Sequence, residues 1–369
     1  MASTVYSNRF RSLSSFSCLS IAPGSVSSTA TTLIQVRSST GSSQVRSVGI
    51  GDIVAGGVRD LKVQVTVLNI QASPVCRRGA AVTDTTTARF PTYAISHGGG
   101  PWPWLPDTTP GGWKPLETAL AAIPAELPHP PRAILMVTAH WEEAAFTVGA
   151  HPSPPMIYDY GGFPPETYEV VYPATGEPQV AARAFELLSG AGLPAATTIE
   201  RGFDHGTFVP AYAMYPDADV PVVQLSVDRS FDPALHLEAG RALAPLRDEG
   251  VLIVGSGLPS YHNLSNFGPE GAENSRTFDA WLTETMVEAT GTDRSRRLLE
   301  WTSAPAARLA HPREEHFIPL LVAVGAAEAD PAVRNYHEDS MFGRITSSGY
   351  RLHADPPTPP TTSTSRSST

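Results

Sequence analysis

The sequence predicts an α/β fold: a single domain with a central, largely parallel or mixed sheet flanked by helices. Three observations carry that expectation. From about residue 89 onward, short apolar and β-branched runs alternate with amphipathic segments, the pattern of strands joined by helices. The run 133–142, AILMVTAHWE, is too short to span a bilayer and too uniformly apolar to leave one face in water, so it suits a strand covered on both sides. Three of the strand-like runs also end near a histidine, and open α/β sheets bind ligands just beyond the carboxyl ends of their strands.

Taken in order, residues 1–50 contain no Asp or Glu, are rich in Ser and Thr, and carry scattered arginines. Such a composition buries little and predicts a disordered or transit-like extension. Residues 61–70 (LKVQVTVLNI) alternate like a strand, 80–89 are loop-like, and the domain boundary is expected near residue 88. A strand over 92–96 leads into His97 and a Gly/Pro/Trp loop over 98–112. A short helix near 116–123 precedes the strand that delivers His140, and another strand is expected over 145–148. Residues 151–173 are Pro-rich and aromatic; a long insertion of that kind in a compact domain reads as a substrate-facing lid, with a Pro-rich surface excursion as the alternative. Helix 179–188, strand 195–199, a loop carrying His205, strand 221–227, helix 233–247 and strand 251–254 follow. A long helix over 273–289 comes next, then shorter helical pieces, and a last helix that opens at His316 and tolerates Pro319 only in its first turn. The catalytic domain is expected over 89–355, with a disordered Pro/Thr/Ser-rich tail over 356–369.

At 369 residues and 41% hydrophobic, the chain can bury a sizeable core. Its net charge is −10, and only Lys62 and Lys114 supply ammonium groups, so neither nucleic acid nor an anionic membrane surface finds an electrostatic footprint. No apolar run approaches the roughly 18 residues of a membrane span, which predicts a cytoplasmic protein, with organelle import through residues 1–50 as the alternative. Two cysteines, Cys18 and Cys76, both precede the domain, so any metal must be held by nitrogen and oxygen.

His97, His140 and His262 follow strand ends, and His205 stands in Gly202-Phe203-Asp204-His205-Gly206. Imidazole is the commonest side-chain metal ligand, and several rings converging on one sheet edge point to a metal more readily than to unrelated capping contacts. The remaining histidines, His129, His151, His236, His311, His337 and His353, read as solvent-exposed. Gly98 to Gly100 reads as a place of close backbone approach rather than a phosphate cradle. Arg201 and Arg229 are candidates to meet a substrate carboxylate, although arginines at strand ends more often form surface pairs.

Five motifs in register carry a family likeness: Ser96-His97-Gly98-Gly99-Gly100-Pro101, Thr138-Ala139-His140-Trp141-Glu142, Asp204-His205-Gly206, Tyr261-His262-Asn263-Leu264 and Glu315-His316-Phe317-Ile318-Pro319-Leu320. The chain resembles the class III extradiol ring-cleavage dioxygenases, in their DOPA-dioxygenase-like branch, from about Tyr93 to Leu352. The resemblance implies Fe(II), or zinc in an isolated protein, held by His97, His140 and His262. It further implies that His205 is the acid/base and that His316 lines the substrate pocket. The implied substrates are a catechol and O2, and oligomeric state is left open. Where better-known members of the family use a carboxylate as third ligand, this chain offers His262, so their substrates do not transfer to it.

Three protein ligands leave positions at which a catechol and O2 can meet, and that proximity supplies much of the acceleration. The catechol must give up protons on binding, and a later step must return one, so a proton carrier is needed off the metal. Three histidines with an open position also describe a zinc hydrolase, and a metal-bearing, non-catalytic binding protein is the third reading.

Overall fold

The structure, a computed structural model, describes residues 35–37, 43–45, 89–106 and 112–353. The expected strand over 61–70, the boundary near 88, most of the extension and the tail over 356–369 lie outside the described residues. The chain divides into two units, Met1–Thr83 and Asp84–Thr369. In the first, β1 (Gln35–Arg37) pairs antiparallel with β2 (Ser43–Val45).

The second unit is built on an eight-stranded mixed sheet. Its strands are β3 (Thr92–Ser96), β4 (Ala133–Glu143), β5 (Phe146–Gly149), β6 (Ala195–Thr198), β7 (Val222–Asp228), β8 (Val251–Gly257), β9 (Ala332–Met341) and β10 (Ile345–Leu352). They lie in the order β6-β5-β7-β4-β8-β3-β10-β9. The middle four, β7-β4-β8-β3, are parallel. On one side β10 and β9 add an antiparallel pair, and on the other β5 runs antiparallel to β7. The parallel centre explains the continuous apolar runs: Ile134, Leu135, Met136 and Val137 are all fully buried because helices cover both faces of β4.

The helices are α1 (Lys114–Ala122), α2 (Pro178–Gly190), α3 (His205–Met214), α4 (Pro233–Leu243), α5 (Pro269–Thr283), α6 (Gly291–Leu299), α7 (Ala307–Ala310) and α8 (Ile318–Ala326). Helices α2, α4 and α8 pack along one another and onto β5, β7, β8 and β3, whereas α3 lies over β4 and β8 and α1 packs against α3 and β9. Every residue of α8 is buried, so this helix is part of the core rather than its cover.

Several sequence expectations need correction. The segment around His205 is not a loop but the start of α3, which is buried nearly all round and therefore lacks the apolar stripe that would announce a helix. The hairpin β9–β10 has no counterpart in the sequence reading, because AVRNYHEDSM is an edge strand with polar residues on both faces. The helix expected over 273–289 ends at Thr283 and continues as one π-turn over Glu284–Glu288. His236 and His311, expected to be exposed, are fully buried. His236 ties α4 to β7: its Nε2 accepts from the Asp228 amide at 3.0 Å and its Nδ1 donates to the Asp232 carbonyl at 2.7 Å. His311 donates Nε2–H to the Pro259 carbonyl at 3.0 Å inside a wall of Phe278, Trp301 and Phe317.

Candidate metal centre

The centre forms where the parallel strands end. β3 pairs with β8 up to Ser96, and the next amide, that of His97, donates to the Gly257 carbonyl at 3.0 Å. His97 is thereby fixed one step beyond the strand, buried, with its carbonyl accepting from Trp102 Nε1 at 2.9 Å. β4 keeps regular pairing with β7 only to Val137, and pairing resumes at Glu142. His140 lies in the irregular stretch between, where a strand can re-aim a side chain, and it is half-buried among the other rings.

His316 arrives from the far end of the chain. The Leu258 amide, just after β8, donates to the His316 carbonyl at 3.0 Å. A Cβ at Gly257 would lie 2.2 Å from that carbonyl oxygen, so only glycine lets the turn before α8 approach the strand end. Nε2 of His316 lies 3.2 Å from Nε2 of His140, which in turn lies 3.3 Å from Nε2 of His97. His262, whose amide donates to the Ala310 carbonyl at 2.9 Å, stacks on the His316 ring with centroids 3.4 Å apart.

Two carboxylates hold these rings. Glu315 Oε1 lies 3.1 Å from Nδ1 of both His262 and His316. Asp159, from the segment expected as a lid, accepts from His205 twice, at 3.0 Å from its amide and 2.7 Å from its Nδ1. The other Asp159 oxygen lies 3.3 Å from Nδ1 of His140. His205 opens α3 with its ring 4.1 Å from that of His140 and 5.4 Å from that of His97, centroid to centroid. The preceding Asp204 is fully buried, and accepts from Thr138 Oγ1 at 2.9 Å and from Arg201 at 2.7 Å. Arg201 also donates to the His140 carbonyl at 3.1 Å, and Arg229 faces Glu143 at the surface.

Burial pushes His97 and His316 well below the usual imidazole range, with neighbouring histidines adding to the shift. His140 is lowered to about 4 by burial and by His205, against the pull of Asp204 and Asp159. These rings are therefore neutral, and the contact of His316 with Glu315 is a hydrogen bond rather than an ion pair. Burial alone would raise Asp159 and Glu315. The bonds that Asp159 accepts, first of all from His205, hold it at about 2, and those from His262 and His316 hold Glu315 well below the usual carboxylate range.

The tautomers follow. A neutral ring that donates Nδ1–H to a carboxylate has a lone pair at Nε2, so His316, bonded to Glu315, turns a lone pair toward Nε2 of His140 across 3.2 Å, and a His140 ring with its proton on Nδ1, 3.3 Å from Asp159, would turn one back. Lone pairs at that separation repel unless a cation lies between them. Ligand nitrogens 2.0–2.1 Å from one metal stand about 2.9 Å apart at right angles and about 3.3 Å apart at the tetrahedral angle. The separations of 3.2 and 3.3 Å fall in that interval, so the donor set fits a metal ion. His97, His140 and His316 form one group able to hold it. His140, Asp159 and His205 form a second such group, and His262, Glu315 and His316 a third, but in both the carboxylate is already occupied as an acceptor of ring N–H bonds.

All five histidines singled out in the sequence thus meet in one place. Of the three expected ligands, His97 and His140 bring Nε2 into the converging group, whereas His262 lies against its neighbour His316. Asp159 and Glu315 had no assigned role in the sequence reading; Glu315 was legible only as the neighbour of His316, and Asp159 had no local signal beyond lying in the Pro-rich aromatic segment.

Comparison with known proteins agrees with this geometry. Residues 94–352 match the family described as the catalytic LigB subunit of aromatic ring-opening dioxygenase. A protein named dioxygenase tasH from Hapsidospora irregularis is 42% identical over 68% of this chain and 82% of its own length. The 4,5-DOPA dioxygenase extradiol of Beta vulgaris is 40% identical, and that of Escherichia coli 36%, over 70% and 71% of this chain and 94% of their own lengths. The crystal structure of an uncharacterized protein from Escherichia coli K12 superposes with a TM-score of 0.56 at 32% identity, covering 72% of this chain and all of that one. With the strand-end histidines, the mixed sheet and these relatives in agreement, the chain belongs to the LigB family of class III extradiol dioxygenases.

Proposed function

We propose that the protein is a non-haem Fe(II)-dependent extradiol dioxygenase that opens a catechol ring with O2 to give a semialdehyde. The observation that carries this is the convergence of Nε2 of His97, His140 and His316, in buried or half-buried rings of which His316 donates its Nδ1–H to Glu315. On this reading His316 takes the third ligand position that the resemblance gave to His262. Bound there, Fe(II) supplies the one-electron chemistry that lets triplet O2 react with a singlet catechol; zinc fits the same nitrogens but offers no such redox step.

The protein's own groups do the rest. Neutral ligands leave the site with net positive charge once loaded, which favours an anionic catecholate. His205 and His262, the two rings outside the triad, stand against different members of it, His140 and His316. They are positioned to take a hydroxyl proton from the catechol and to return one later, His205 with its Nδ1–H held by Asp159 and His262 with its own held by Glu315. The segment 151–173 brings aromatic side chains to the centre, Tyr160 standing 5.8 Å from His205 and Phe163 packed on Gly100. Gly100 has φ of +57°, and a Cβ there would lie 2.5 Å from the Phe163 ring.

Anaerobic loading with Fe(II), followed by a panel of catechols in air that begins with DOPA, tests the reading. Oxygen uptake with a yellow ring-opened product is expected from the iron form and not from the zinc form. Hydrolysis by the zinc form without oxygen uptake would favour a metal hydrolase instead.

A further inference from the structure

We propose that Asp159 is a positioning residue that joins the covering segment to the chemistry: one carboxylate latches residues 151–173 onto the centre and sets the tautomer and orientation of His205. The inference rests on the role given to His205 above. Two N–H groups of His205 meet on this side chain. They are the amide that opens α3 and the His205 ring, both on Oδ1, while Oδ2 stands 3.3 Å from Nδ1 of His140. The carboxylate thus touches a ring inside the triad and a ring outside it, and belongs to neither strand nor helix.

The rest of the segment is held by its own bonds and, at its far end, by the buried Tyr172, which donates to the Ala211 and Tyr215 carbonyls at 3.2 and 3.0 Å. Tyr158 donates to the Val170 carbonyl at 2.7 Å, Tyr160 to Thr167 at 2.6 Å, and the Thr167 hydroxyl to Pro164 at 2.7 Å. Ile157 and Phe203 anchor its start through backbone bonds. Among the described residues, Asp159 is the side chain of this segment that hydrogen-bonds to the histidine cluster. When the segment lies down, Asp159 arrives with it. His205 is then restricted to the Nδ1–H tautomer, with Nε2 as the nitrogen able to accept a proton, and its ring is fixed beside those of His97 and His140. If the segment lifts, the same motion frees His205 to rotate or to change tautomer.

The chemistry demands a pure acceptor. An asparagine has one oxygen and one NH2, so either rotamer turns a donor toward the N–H groups of His205 or toward Nδ1 of His140. Asp159→Asn is therefore the informative change, with Asp159→Glu as the variant that keeps the acceptor and restores part of the effect. In the Fe(II)-loaded full chain, Asp159→Asn should retain metal and lose roughly 10- to 100-fold in kcat, the usual cost of removing a carboxylate that orients a site imidazole. KM should stay within about threefold, since the catechol contacts themselves are untouched.

Two readouts need no turnover. The segment contains no Lys or Arg, but chymotrypsin can cut after Tyr158, Tyr160 and Tyr168. Cleavage there should quicken about tenfold in Asp159→Asn and return toward wild type in Asp159→Glu, because proteolysis follows the population of the lifted segment. Long-range 1H–15N spectra of the zinc-loaded, 15N-histidine protein should show His205 protonated at Nδ1 in the wild type and a changed pattern in Asp159→Asn. Wild-type kcat in Asp159→Asn, a kcat loss with unchanged cleavage or unchanged tautomer, or loss of the metal itself would each overturn the proposal. A wild-type enzyme that consumes no O2 with any catechol sinks the dioxygenase reading instead, and the cleavage and tautomer measurements still decide the role of Asp159.

Discussion

At the scale of single residues, carboxylates decide what each imidazole can do. Glu315 accepts the Nδ1–H of His316 and so turns its Nε2 lone pair toward His140, and Asp159 accepts the Nδ1–H of His205. The prediction is that His97→Ala, His140→Ala and His316→Ala each lose bound metal, while His262→Gln keeps it, as measured by elemental analysis. Full metal in His316→Ala, or none in His262→Gln, would return His262 to the ligand set. For proton transfer, His205→Gln keeps size and hydrogen bonding but carries no proton near neutrality. It should hold metal and bind catechol while turnover falls by about 10²–10⁴-fold, the usual contribution of a general acid or base. Wild-type turnover in that variant removes His205 from the mechanism.

At the scale of elements, the site depends on strands that stop or deform at the right residue, and on helices that begin there. His236 is the clearest case away from the metal, because it holds the carboxyl end of β7 to the first turn of α4 only as a neutral ring that both accepts and donates. Burial lowers it from 6.5 to about 4. Above pH 6.5 neither the folded nor the unfolded chain protonates this ring, and it adds no pH dependence. As pH falls from about 6.5 to about 4, only the unfolded chain takes up the proton, so stability is lost, by roughly 3 kcal/mol across the window. His311, lowered by burial to about 3, acts in the same direction. Melting temperatures between pH 7.5 and 4.5 should therefore fall less steeply in His236→Leu than in the wild type, although the variant starts lower. Equal slopes would remove His236 from the acid response.

At the scale of the whole domain, the first residues and the last helix are tied through one buried ion pair. Arg247 is 1% exposed; its Nε donates to the Phe90 carbonyl at 2.6 Å, its Nη1 to the Ala326 carbonyl at 2.8 Å, and its Nη2 bonds Asp330. Burial pushes the Arg247 guanidinium down from its ordinary value, against the pull of Asp330. Arg247→Ala removes all three bonds and strands Asp330 as a buried charge, a loss of about 3–5 kcal/mol. For a domain of this size that corresponds to a fall of about 10 °C in melting temperature, checked by calorimetry; a fall of only a degree or two would mean that water or another cation satisfies Asp330. A chain lacking residues 1–85 should keep the turnover and melting temperature of the full chain, as expected from its acid-free, Ser-rich start. An insoluble truncated protein would mean that 61–70 belongs to the sheet.

What the sequence determined by itself was whatever local pattern can carry: the α/β alternation, the central strand that carries His140, the strand-end position of His97, and the motif series around His205, His262 and His316. Apolar period and strand length are set by near neighbours, so they survive without coordinates. Tertiary structure alone decided which nitrogens converge. That depends on the turn before α8 folding back onto Gly257, a contact between segments nearly sixty residues apart, and no local pattern encodes which of His262 and His316 points inward. It also decided that HGTFVPAYAM forms α3 and that AVRNYHEDSM is an edge strand. The first is buried too uniformly, and the second is too polar on both faces, for periodicity to speak. Asp159 is the extreme case: an acidic residue in a Pro-rich loop acquires its meaning only when the chain brings it within 2.7 Å of His205.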